Sequence, residues 1–192
     1  MGRKYQLKKR AERQEETRRR IVEAAIDLHG TIGPARTTVS AIAERAGVQR
    51  HTYYRHFPDD RSLFTACSGL YTERNPPPDP ERWREIRDPD ERLGRALRDL
   101  YTYYAANEPM FSNVMRDAEV HPLTAEANLA RFAPVVAAMR DVLGAGRRSK
   151  RALALIDLAI AFPTWRMLAA SGLATNVAAD TMAAAVRCAS SG

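Results

Sequence analysis

Cysteine is almost missing from this chain. Cys67 and Cys188 are the only two in 192 residues, too few and too far apart for a disulfide framework or a cysteine zinc site. Both read as reduced thiols of a cytoplasmic protein. The four histidines, His29, His51, His56 and His121, show no metal-ligand spacing, so no metal is expected. No glycine-rich phosphate loop occurs, and neither cysteine has a histidine beside it in sequence to activate it. With those features lacking, the chain is read as a non-enzyme with no catalytic residue and no cofactor. No run of about 18 apolar residues could cross a bilayer, so no membrane partner is expected. The basic start leads into further charge and not into the apolar segment of a secretory signal. Period-two alternation long enough for a strand is lacking, as are internal repeats, which leaves an all-α fold.

What is present is a hydrophobic fraction of 45%, enough to bury a sizeable core, and a localised positive charge. Residues 1–64 hold 14 Lys and Arg against 8 Asp and Glu, so six of the seven net positive charges of the chain lie in its first third. Clustered cations suit a polyanion, because they release counterions condensed on phosphates. A solvated basic face without a partner is the competing reading of charge alone.

The stretch Thr37 to Phe57, TTVSAIAERAGVQRHTYYRHF, organises that third. Val39, Ile42, Ala43 and Ala46 recur at i, i+3, i+4 and i+7, the spacing of one buried helical face. Gly47 follows, where a chain leaving a helix often turns left-handed. Tyr53 and Phe57, spaced i, i+4, can pack back on the first helix as core. Gln49, Arg50, His51, Thr52, Tyr54, Arg55 and His56 are then presented outward. A helix, a tight glycine turn and a polar second helix make a helix-turn-helix unit, whose second helix enters the DNA major groove.

Three segments follow along the chain: a basic flexible arm over 1–14, a helix-turn-helix domain over 15–60, and a helical block over 61–192. Residues 1–20 carry nine cations and three acids. They read as a mobile arm or as one that lies along a DNA backbone or minor groove. A first helix is predicted from about Glu15 to His29, ended by Gly30 and Gly33-Pro34. Thr37 and Thr38 are N-cap candidates, without the reciprocal partner of a capping box. Residues 75–89 hold five of the eleven prolines and read as a loop anchored by Trp83 and Ile86. Further helices are expected from Asp90, from Met110, from Leu123 with a bend at Pro134, from Ala152 with a break at Pro163, and from Asn176.

The N-terminal third resembles the DNA-binding domain of the TetR family of transcription regulators. The likeness rests on the Thr-Thr pair opening Thr37 to Gly47 and on Tyr54-Arg55-His56-Phe57-Pro58 followed by Leu63-Phe64. It implies that Thr38 and Tyr54 bond phosphates, that Arg50 and His51 face base edges, and that His56 sits at the phosphate boundary. Physical chemistry agrees, since Arg can grip guanine O6 and N7 in a bidentate contact. Three positions depart from the family pattern. Gln49 replaces a capping serine and is free to contact DNA, His51 replaces a small residue, and Asp60 replaces a phosphate-binding lysine that Arg61 would have to supply.

In the later block the resemblance is one of length and helical layout. It implies a cavity for a small, largely apolar effector, for which Tyr101, Tyr104, Phe111, Met115, His121, Phe132 and Trp165 are the candidates; ordinary core packing is the competing reading of each. It also implies a homodimer through the last two helices, because two recognition helices reading a palindromic operator in double-stranded DNA lie about 34–36 Å apart. The function expected is a ligand-released repressor. A ligand-independent architectural DNA binder is the alternative.

Overall fold

The computed structural model describes residues 2–190, with side chains from Tyr5 onward; of the expected basic arm, Met1 and the side chains of residues 2–4 lie outside that description. Its elements are α1 (Gly2–Thr31), a 3-10 turn (Pro34–Arg36), α2 (Val39–Arg45), α3 (Arg50–His56), α4 (Asp60–Arg74), α5 (Pro80–Arg84), α6 (Pro89–Ala106), α7 (Glu108–Ala118), α8 (Pro122–Gly144), α9 (Lys150–Ala159), α10 (Phe162–Ala170) and α11 (Thr175–Ser190). No strand occurs among the described residues, and the fold is all-α as expected.

Helix α1 is longer than predicted. The basic run expected as a flexible arm is its first half, exposed along the described side chains of residues 5–16. Two physical reasons account for this. From Arg3 to His29 the sequence contains no glycine or proline and is rich in Arg, Lys, Gln, Glu and Ala, all strong helix formers. The costly nucleus is supplied downstream, where Ile21, Val22, Ala24, Ala25 and Leu28 are buried, and propagation toward the N-terminus then needs only one bond per residue.

The chain folds as two compact units, one built from the chain up to Asn75 together with Ser112–Leu129, the other from Pro76–Phe111 and the chain from Ala130 onward. The expected boundary after residue 60 is displaced because α4 buries Leu63 and Cys67 in the same core as Ile21, Ile42, Tyr53 and Phe57. The boundary then falls at the proline-rich stretch, and again inside α7 after Phe111. Asp59 caps α4 by accepting from the Ser62 N–H at 2.7 Å. Thr38 caps α2 by accepting from the Ala41 N–H at 3.2 Å.

In the second unit Leu93, Leu97, Leu100, Tyr101, Ile156, Ala179 and Val186 lie within one core. The predicted loop anchor Trp83 is buried on α5 and donates Nε1–H to Asp99 at 3.0 Å. Pro134 sits inside α8 without ending it. The break expected at Pro163 separates α9 from α10 at an angle of 68°. Among the described residues no single helix is long and apolar enough to cross a membrane.

Tyr53 and Phe57 are 1% and 0% exposed, as their spacing predicts. The Tyr53 hydroxyl is buried without a partner, and burial, reinforced by nearby Asp60, pushes its pKa up to about 12. Tyr53→Phe should therefore keep stability or raise it by up to ~1 kcal/mol, since an unpaired buried hydroxyl contributes nothing to lose. Tyr53→Ala should cost about 3–5 kcal/mol as a large-to-small core change. Urea unfolding of the full chain checks both, and a loss above ~2 kcal/mol for Tyr53→Phe would mean that the hydroxyl is paired.

Candidate nucleic-acid interface

Gly47 turns the chain between α2 and α3 with φ of 63°, a left-handed conformation that costs glycine nothing and strains other residues. Its N–H donates to the Glu44 carbonyl at 3.0 Å and the Val48 N–H to the Ala43 carbonyl at 2.9 Å, so the end of α2 is hydrogen-bonded while the chain reverses. With Tyr53 and Phe57 fixed inward, the rest of α3 has no choice of face. Gln49, Arg50, His51, Tyr54 and Arg55 are exposed, while Thr52 and His56 are half-buried. The predicted reading set is thus brought together on one short helix, and Thr38 stands exposed at the start of α2.

The individual side chains differ in what they have left to offer. Gln49 occupies the N-cap of α3 without making a capping bond, so its amide is not committed to the helix. Thr38 accepts from the Ala41 N–H with one lone pair of its hydroxyl oxygen, and its own O–H is left to donate. Burial, aided by the Arg55 and Arg18 charges, lowers the His56 pKa, which favours the neutral ring. Arg61 is not free to replace the lysine missing at Asp60, because it forms a two-pronged pair with Glu126, in which Nη2 to Oε2 is 2.9 Å.

A second polar cluster went unread in the sequence. Asn113 donates to the His29 and Gly30 carbonyls at 3.0 and 2.9 Å. Arg116 donates to the Ile32 carbonyl at 3.1 Å, and Asp117 accepts from the Ala35 N–H at 2.9 Å and from Arg116 Nε at 2.7 Å. Burial alone would raise the Asp117 pKa, yet the Arg116 and Ala35 hydrogen bonds and the Arg charges together hold it below the ordinary value. The signal available was Asn, Arg and Asp at i, i+3 and i+4 on one helix. Its target lies more than eighty residues earlier, so the spacing alone named no partner. Beside it His29 is 5% exposed, with its ring 5.4 Å from Phe64 and Nδ1 3.8 Å from Cys67 Sγ. Burial, with neighbouring His121 adding to it and Asp117 opposing, lowers its pKa to about 4.

Five of the effector candidates share the second unit. Tyr101 and Tyr104 donate their hydroxyls to the Ala159 and Ile160 carbonyls at 2.9 and 2.6 Å, closing the end of α9. Phe111 lies 5.4 Å from the Tyr104 ring and 5.2 Å from that of Phe132. Trp165 lies 6.0 Å from Tyr104, and its buried Nε1–H has no hydrogen-bond partner. Phe162, absent from the predicted set, joins both Phe111 and Trp165 at 5.2 and 5.5 Å. Met115 and His121 instead belong to the first unit. There Met115 Sδ accepts from Asn128 at 3.8 Å, and His121 Nδ1 is 2.8 Å from the Thr124 hydroxyl. A polar cavity of about 350 Å³ lined by Asp88, Asp90, Arg147 and Ser149 contains none of the predicted residues.

Residues 21–67 match the family described as bacterial regulatory proteins, tetR family. No curated protein matches the chain by sequence. Solved structures do match its fold. A TetR-like transcriptional regulator from Rhodococcus sp. RHA1 aligns with a TM-score of 0.61 at 18% identity, over 88% of this chain and 93% of that one. A TetR transcription regulator from Haloarcula marismortui ATCC 43049 gives 0.59 at 13% identity, over 92% and 97%. A transcriptional regulator from Rhodococcus sp. Rha1 gives 0.57 at 20% identity, over 88% and 95%.

The polar cluster fixes two expected outcomes. Gly33 has φ of 94°, and a Cβ there would collide with the Arg116 guanidinium and the Asp117 carboxylate. Gly33→Ala should therefore destabilise the first unit by about 1–3 kcal/mol, strain and collision acting together, as read by denaturant midpoint. The folded state holds His29 neutral to about pH 4, whereas an unfolded histidine takes up its proton near pH 6.5. Its contribution to stability is present in full above pH 6.5 and is lost progressively as pH falls from there to about 4. His29→Gln should flatten the loss over that window, by at most about 1.4 kcal/mol per pH unit.

Proposed function

We propose that this chain, whose residues 21–67 match the family described as bacterial regulatory proteins, tetR family, is a DNA-binding transcriptional regulator, a homodimeric repressor released from a palindromic operator by a small, largely apolar effector. The observation that carries the reading is the division of α3 and its caps: Tyr53 and the C-cap Phe57 are locked in the core while the N-cap Gln49 and Arg50, His51 and Tyr54 are exposed. Arg50 and His51 face base edges; Thr38, Tyr54 and His56 set the backbone register, with Gln49 and Thr52 beside them. One such helix makes few base contacts, so two copies are required. The partner copy packs against α10 and α11, where Met167 is 72% and Val177 45% exposed.

The effector enters the aromatic cluster of Tyr101, Tyr104, Phe111, Phe132 and Trp165, taking a hydrogen bond from the unpartnered Trp165 Nε1–H. It releases DNA by preferring the state in which the recognition helices no longer match successive grooves; equal affinity for both states would shift nothing.

Selection from random duplexes with the full chain should recover a palindrome, bound by two copies. Arg50→Ala should cost about 1–3 kcal/mol and relax preference at one base pair per half-site; equal weakening on all sequences would make Arg50 a phosphate contact. Screening small aromatic compounds should yield one that both displaces the DNA and changes Trp165 fluorescence. Trp165→Phe should weaken that response about tenfold, the loss of ~1.4 kcal/mol. Sequence-indifferent binding that ignores every compound would favour an architectural role.

A further inference from the structure

The first half of α1 lies outside both the recognition helix and the core, and its charges are sorted by face. Gln6 is followed three and four residues on by Lys9 and Arg10, Arg13 lies four and three beyond these, and Thr17 and Arg20 continue at four and three, which aligns them along a single stripe of the helix. Of the three acids of the run, Glu15 falls on the opposite side, while Glu12 and Glu16 flank the stripe. Both flanking acids are paired with cations outside the stripe: Lys8 lies 3.9 Å from Glu12 and Arg19 2.8 Å from Glu16. Lys9, Arg10, Arg13 and Arg20 form no ion pair among the described residues, and Lys9, Arg10 and Arg13 are exposed. The charged residues of the stripe itself are therefore all cations, and the two acids that border it are taken up by Lys8 and Arg19.

Two further observations say what this face meets. The stripe ends at the DNA-reading unit: a Cβ added to Gly47, in the turn before the recognition helix, would lie 3.8 Å from Arg20 Nη1. Arg18, two residues earlier, sits over the Phe57 ring at 4.9 Å, fixing the helix to the end of α3. An anionic membrane fits poorly, because the first 14 residues offer only Met1, Tyr5 and Leu7 as large apolar side chains, too few for an apolar stripe.

We propose that the Lys9, Arg10, Arg13 and Arg20 face of α1 is a second DNA-contacting surface that binds the phosphates of duplex DNA flanking the operator, independently of its sequence. The inference rests on the DNA-binding reading above. Lys9 and Arg20 are about 16 Å apart along the helix axis, a span of about five base pairs of duplex. A rigid helix pre-pays the ordering cost that a flexible arm would meet on binding. The flanking contact adds affinity and extends the footprint without adding base preference.

The test uses the full chain and its Lys9→Gln/Arg10→Gln/Arg13→Gln variant, which keeps strong helix formers at all three positions. Each is titrated over a series of salt concentrations against two fragments carrying the selected palindrome, one trimmed to the site and one extended on both sides by scrambled duplex. On the extended fragment, log Kd against log salt should be steeper for the wild-type chain than for the variant by about 2–3 per protomer, at roughly 0.9 per phosphate neutralised. On the trimmed fragment the two slopes should agree, and Lys9→Arg/Arg10→Lys/Arg13→Lys should restore the steep slope. Equal slopes on the extended fragment would overturn the proposal. So would binding to phosphatidylglycerol vesicles that the Gln variant loses while its DNA slopes stay unchanged. Loss of preference for the palindrome by the wild-type chain would sink the operator reading alone, because the slope difference on extended duplex is read on any sequence.

Discussion

The last carbonyls of α1 are the constraint on which the first unit depends. A helix end leaves such groups without intrahelical partners, and here solvent does not satisfy them. Asn113 takes those of His29 and Gly30, Arg116 takes that of Ile32, and Asp117 holds the next free N–H, at Ala35. Removing Asn113 would leave the buried His29 carbonyl without its side-chain donor, which costs more than the hydrogen bond itself contributes. The turn at Gly33 has to pass between these side chains, and this requirement places a left-handed glycine there.

The residues of α7 serve two separate cores. Phe111 packs among Tyr104, Phe132 and Phe162 in the second unit, whereas Asn113, Arg116 and Asp117 bind backbone at the end of α1 and just beyond it in the first. Within each core the packing is dense, and dense cores repack between discrete arrangements and do not deform continuously.

Much of the fold was legible because its signals are local. Periodicity placed α2, α3 and the later helices, Gly47 placed the turn, and Tyr53 and Phe57 were readable as core from one interval of four. Three features were not legible for physical reasons. A run of cations resembles a solvated arm until a downstream core supplies the helix nucleus, so α1 was read too short. Asn113, Arg116 and Asp117 bind backbone, which carries no residue identity, and their partners lie far away in sequence. The aromatics of the second unit share one composition whether they fill a core or surround a ligand, and Met115 and His121 were grouped with them by nearness in sequence alone.

The departures on and around α3 follow one logic of charge. Asp60 stands where the resemblance implies a phosphate-binding lysine, and Arg61 beside it pairs with Glu126. Gln49 is a weaker cap than serine, and α3 is held instead by Tyr53 and Phe57 beneath it. On α1 the cations Lys9, Arg10, Arg13 and Arg20 form no ion pair among the described residues, and their stripe ends beside Gly47. Total phosphate attraction depends on the number of neutralised phosphates and very little on which helix supplies them. On the reading proposed, cations on α1 in place of one after α3 keep affinity while the footprint shifts outward, and base choice rests with Arg50 and His51.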